Sequence, residues 1–161
     1  MLYQRDKAVQ YINEWALGRN PAYYDFQNIG GDCTNFASQV LFAGSGVMNY
    51  TPTFGWYYID VNNRAPAWTG VNELYSFLVT NIGPGPQGVV TPLSEAEPGD
   101  IIQLKFGYGE GFDHSPVVVE KGMGTPGTIL VAAHTSDANR RPLSTYAYTD
   151  YRCIHIYNVK Q

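Results

Sequence analysis

The chain has 161 residues, a formal net charge of −4, 44% hydrophobic residues and only 15% charged ones. That length suffices for a single domain over residues 1–161 with a core of its own, and two cysteines, Cys33 and Cys153, are too few for a disulfide framework. An acidic balance without any Lys/Arg cluster excludes a nucleic-acid surface, which needs concentrated cation, and no apolar run approaches the length of a membrane span.

From Arg5 to Leu17, Val9, Ile12 and Trp15 or Ala16 share one stripe with Ala8 and Tyr11 beside it. The spacing predicts an amphipathic helix that stops at Gly18. The N-terminus lacks the apolar core of a signal peptide. An aromatic connection, Asn20 to Phe26, leads to Gly30-Gly31, a tight turn, and then to Asp32 as the N-cap of a second helix. Phe36, Ala37, Val40 and Leu41 make its apolar face, and Ala43-Gly44-Ser45-Gly46 ends it. Cys33 therefore falls in the first helical turn. Unpaired backbone N–H groups and the positive end of the helix dipole there favour a thiolate and can stabilise an oxyanion. The plainer reading of Cys33 is a buried small hydrophobe.

Residues 47–68 show no clear period. They read as a long surface excursion with one short strand over 56–61, and Trp56, Tyr57 and Trp68 make it a candidate substrate wall; a simple cap over the helices is the equal alternative. Thr69 is expected to cap a third helix, residues 70–81, with Val71, Leu74, Tyr75 and Leu78 as its buried stripe, broken by Gly83-Pro84-Gly85-Pro86. Four strand-like runs come next, over 101–106, 113–120, 128–135 and 151–159, joined by glycine-rich loops. Helices first and strands second predict an α+β fold, with N-terminal helices packed on one face or end of a C-terminal antiparallel sheet.

Histidine occurs three times. His114 opens an apolar run, so its imidazole is expected at the mouth of the sheet, where a neutral ring can take a thiol proton and later protonate a leaving amine. His134 ends the next run. If the two runs form a hairpin across 122–127, His134 lies beside His114 and can orient it, completing a Cys-His-polar triad. His155, between Ile154 and Ile156, reads as structural or surface-facing, and Cys153 as buried packing. Asp113 is either a turn carboxylate or a group that attracts a cationic part of a substrate. Asp32 is a cap first and a substrate contact second. Cys33, His114, His134 and Asp113 lack the paired short spacing usual in zinc sites, so no metal is expected.

Asp32-Cys33 on a helix, Pro98-Gly99-Asp100 before a strand and His114 at the head of an apolar strand resemble the papain-like cell-wall hydrolases, the group that includes CHAP amidases and NlpC-type peptidases. More closely, Gly31-Asp32-Cys33-Thr34-Asn35-Phe36-Ala37-Ser38-Gln39, Trp68-Thr69-Gly70-Val71-Asn72-Glu73-Leu74 and Asp113-His114-Ser115-Pro116-Val117-Val118 resemble the bacterial "putative amidase domain" family over nearly the whole chain. The resemblance implies a papain-like core, Cys33 as nucleophile, His114 as base and His134 in the third position, with Asp137 and Asn139 as rivals. It further implies a peptidoglycan or other peptide amide substrate, no organic cofactor, and a secreted or wall-associated protein, with no signal peptide in this chain. Gln27 is the only nearby match for a side chain completing the oxyanion hole. The alternative is a catalytically silent module of the same fold that binds cell wall through its aromatic loop.

Overall fold

A computed structural model describes all of residues 1–161. Two longer helices lead, α1 (Arg5–Trp15) and α2 (Cys33–Ser45). A small hairpin, β1 (Tyr58–Asp60) with β2 (Asn63–Arg64), precedes α3 (Pro66–Thr69) and α4 (Val71–Thr80). Then come β3 (Gly85–Thr91), β4 (Ile101–Lys105), β5 (Val117–Glu120), β6 (Leu130–Ala133), β7 (Ala138–Pro142) and β8 (Asp150–Lys160). These six make one sheet in the order β3-β8-β4-β5-β6-β7, and every pairing in it is antiparallel. The α+β architecture is the expected one, but the sheet has six strands rather than four.

Period-two alternation sorts side chains to the two faces. Ile101, Val117, Val119, Ala132, Ile154 and Ile156 join Ile12, Phe36, Val40, Leu74 and Leu78 from the helices. Ile102, Leu104, Val118, Val131 and Cys153 point the other way into a second, smaller core closed by Leu93, Ile129 and Leu143. The sheet is therefore covered on both faces, by helices on one and by loops and 3₁₀ turns on the other.

The added strands lie at the two edges. β3 contains Pro86 and two glycines, which hide it from a propensity reading, yet an edge strand tolerates proline. Gly88 is required there, because a Cβ would come within 2.7 Å of Ile154 Cγ2 on β8. β7 carries Asn139, Arg140 and Arg141 and bears no apolar alternation. The third helix region splits at Gly70, which takes an extended conformation and is the N-cap of α4, so Thr69 ends α3 rather than capping α4. No helix is long and apolar enough to cross a membrane.

Asp100 ties α1 to the sheet. Its fully buried carboxylate accepts hydrogen bonds from Arg5 Nη1 (2.8 Å), His155 Nδ1 (2.8 Å), and the N–H groups of Ile156 (2.9 Å) and Glu97 (2.8 Å). Arg5 also donates to the carbonyls of Pro98 and Ile156.

Candidate active site

Cys33 is the first residue of α2 and is 9% exposed, so it is more enclosed than an ordinary first-turn residue. Asp32 precedes it as N-cap residue but makes no side-chain bond to the backbone of the first turn. Instead its carboxylate, fully buried, accepts from the Phe26 N–H (2.8 Å), Asn35 Nδ2 (2.9 Å) and His134 Nδ1 (2.5 Å). The Asp32 N–H donates to Thr135 Oγ1 (2.8 Å). Gly31 makes this approach possible: its φ is +97°, and a Cβ would stand 3.2 Å from the same hydroxyl.

The start of α2 is clamped to the segment that carries His114. Thr34 Oγ1 and Ser115 Oγ share a hydrogen bond of 3.1 Å, and Gln103 Nε2 donates to Ser115 Oγ (3.1 Å). The Cys33 sulfur lies against the Thr34 hydroxyl (3.7 Å) and the backbone N–H of Ser115. The thiol is thus held against the residue that immediately follows His114.

His114 pairs with Leu104 of β4 through its backbone and is 7% exposed. Its ring sits between those of Phe106 (6.2 Å between centroids) and Tyr146 (5.7 Å). These residues, with Tyr108, Asp113, Thr135, Ser136 and Arg141, line a cavity of about 510 Å³. Two of them carry backbone strain, Thr135 at φ 59° and Ser136 at φ 63°, a region that residues other than glycine rarely occupy. Arg141 lies over the Tyr146 ring, 3.7 Å from its centroid. The buried Tyr146 Oη has no hydrogen-bond partner.

Burial sets the charge state of the pair. It pushes the Cys33 thiol above its ordinary value, and the Thr34 hydroxyl and Ser115 N–H, which favour thiolate, do not offset it. Burial, aided by the positive charge of Arg141, holds His114 down at about 4. At neutral pH the resting pair is therefore a neutral thiol and a neutral imidazole. Desolvation of the sulfur thus acts against the thiolate expected at the helix end.

The other expected site residues separate into two groups. Asp113 is exposed and lines the cavity, its Oδ2 accepting the Phe106 N–H (2.8 Å). His134 does not orient His114. It is 1% exposed, stacked on Phe36 (4.1 Å), with Nδ1 donating to Asp32 and Nε2 to the Trp15 carbonyl (2.9 Å). Neither nitrogen is left for His114. The rivals do no better, since Asp137 pairs with Arg19 (2.8 Å) and Asn139 Oδ1 is buried without a partner. Gln27 is exposed and accepts from Arg19 Nη2 (3.1 Å).

The substrate-wall residues largely withdraw into the core. Trp56 and Trp68 have no exposed surface and pack against each other in a tilted arrangement, 4.8 Å between ring centroids, their indole N–H groups donating to Ser38 Oγ and Asn35 Oδ1. Tyr57 is half-buried against Tyr50 (5.9 Å) and lines no part of the His114 cavity. Asp32, fully buried, cannot touch a substrate. Besides His114 and Asp113, the cavity is lined by Phe106, Tyr146, Arg141, Thr135 and Ser136, which sequence did not single out because they lie in loops and on β7 without periodicity. No group of three or more His, Cys, Asp or Glu side chains is placed to hold a metal ion.

Residues 2–157 match the family model described as "Putative amidase domain". The chain belongs to this family. A relative from Bacillus subtilis (strain 168), "Uncharacterized protein YhbB", is 35% identical over 163 residues, which cover 96% of this chain and 50% of the relative. The chain thus spans about half the length of that curated relative. No solved structure matches. The description of the family names amide hydrolysis as its general activity.

Proposed function

We propose that this domain is a cysteine-dependent amide hydrolase of papain-like type that acts on bacterial peptidoglycan, as an amidase or endopeptidase, outside the cell or at the wall. The observation that carries the reading is the Cys33 thiol at the N-terminus of α2, held against the residue after His114, whose imidazole faces the cavity with no protein partner. His114, neutral at pH 7, takes the thiol proton as the sulfur attacks the carbonyl carbon. The N–H groups opening α2 stabilise the oxygen that becomes negative. Collapse breaks the C–N bond, His114 returns the proton to the leaving amine, and a thioester remains. Water, deprotonated by the same imidazole, attacks the thioester carbonyl and frees the acid and the thiol.

Purified bacterial walls digested by the wild type and by Cys33→Ala, with fragments identified by mass spectrometry, test this directly. New ends are expected with the wild type alone, and they name the bond cut. A second reading, a silent wall-binding module, is favoured by one feature: burial raises the pKa of Cys33 rather than lowering it. Wall binding without release of fragments by the wild type would decide for that module.

A further inference from the structure

Four cationic side chains, Arg5, Arg19, Arg140 and Lys121, each pair with a carboxylate. Arg141 does not. Its Nε donates to Thr145 Oγ1 (2.7 Å) and its Nη2 to the Thr145 carbonyl (3.0 Å), which fixes the guanidinium, while the Tyr146 ring supports its face. Neither contact uses Nη1. The charge is nonetheless felt inside the cavity, since it helps depress the pKa of His114. Asp113, the one acid lining that cavity, is engaged by the Phe106 N–H and forms no ion pair with Arg141. A guanidinium held rigid by neutral acceptors, half-buried beside a base and without a counter-ion, is built for a bidentate or charge-assisted contact to an incoming anion.

We propose that Arg141 is a specificity residue that receives a free carboxylate on the substrate, close to the scissile amide, so that the cavity selects anionic peptide amides over their neutral counterparts. The proposal rests on the hydrolase reading for the identity of the reacting bond, but the carboxylate contact itself requires no turnover. Thr135 and Ser136 line the same cavity beside it.

The test is binding to the Cys33→Ala protein of two small probes, N-acetylalanine and N-acetylalaninamide, followed by NMR titration. They differ only in carboxylate against carboxamide. The carboxylate is expected to bind about tenfold tighter, the scale of one charge-assisted contact. Arg141→Gln in the same background should make the two probes equal, and Arg141→Lys, which keeps the charge, should retain part of the preference and guards against a misfolded Gln variant. Equal binding of the probes, no binding of the carboxylate, or a preference that survives Arg141→Gln would overturn the proposal. Such a result leaves wall digestion by the wild type untouched, whereas absence of digestion with the preference intact would sink the hydrolase reading alone.

Discussion

At the scale of single residues, His114 and His134 do opposite jobs. His114 faces a cavity with free nitrogens, while His134 is locked between Asp32, the Trp15 carbonyl and the Phe36 ring. Their alanine variants should separate accordingly. His114→Ala should abolish wall digestion and leave thermal stability near the wild type. His134→Ala removes the His134 hydrogen bond from the fully buried Asp32 carboxylate, which keeps those from Phe26 and Asn35, and should cost about 2 kcal/mol, while the folded fraction keeps activity. Denaturant titration alongside the digestion assay reads both effects. A stable His134→Ala protein devoid of activity would restore that histidine to the catalytic set.

Among elements, the position of α1 against the sheet depends on Asp100. Ala8 and Ile12 contribute apolar burial, but the direction of the helix start is set by Arg5, which reaches Asp100, Pro98 and Ile156 at once. Asp100→Asn removes the charge that Arg5 and His155 share in a site with no exposed surface, and should cost about 3 kcal/mol in urea denaturation. A loss under about 1 kcal/mol would mean that the apolar face of α1 alone determines its docking. The clamp from Gln103 through Ser115 and Thr34 does the corresponding work for α2, and it explains why a helix and a strand far apart in sequence present Cys33 and residue 114 together.

For the whole molecule, buried titratable groups bracket the pH range of stability. His114 falls from an ordinary 6.5 to about 4 on folding, so between those values the unfolded chain binds the extra proton and stability declines as pH falls. The full shift corresponds to about 3 kcal/mol. Asp32 acts in the same direction at lower pH: the hydrogen bonds from His134, Asn35 and Phe26 outweigh its burial and keep it below its ordinary 3.8, so its contribution is lost as it protonates. On the alkaline side, burial raises Cys153 from 9.0 to about 11, and its stabilising effect is lost as pH rises through that window. A plot of unfolding free energy against pH should therefore be flat between about 6.5 and 9 and fall on both sides. In His114→Ala the decline between 6.5 and 4 should shrink; an unchanged acid limb would assign it to other groups.

What the sequence by itself determined was local: apolar stripes at helical spacing, glycine and proline stops, the order of helices before strands, and Cys33 in the first turn of its helix. These arise from steric and periodic rules that act over a few residues. Tertiary structure decided which face each histidine uses. The β5–β6 pairing of Val117 with Ala132, carried outward, sets Thr135 opposite residue 114, and a shift of one residue turns the His134 side chain to the helix-covered face. Burial, likewise invisible in a linear pattern, withdrew Trp56 and Trp68 into the core and inverted the expected charge state of the thiol. The edge strands β3 and β7 rest on the hydrogen bonds their neighbours offer: β3 opens on Gly85-Pro86 before Val89, Val90 and Thr91, and β7 has no apolar alternation. Register, desolvation and edge pairing are properties of segments brought together, and only the folded chain contains them.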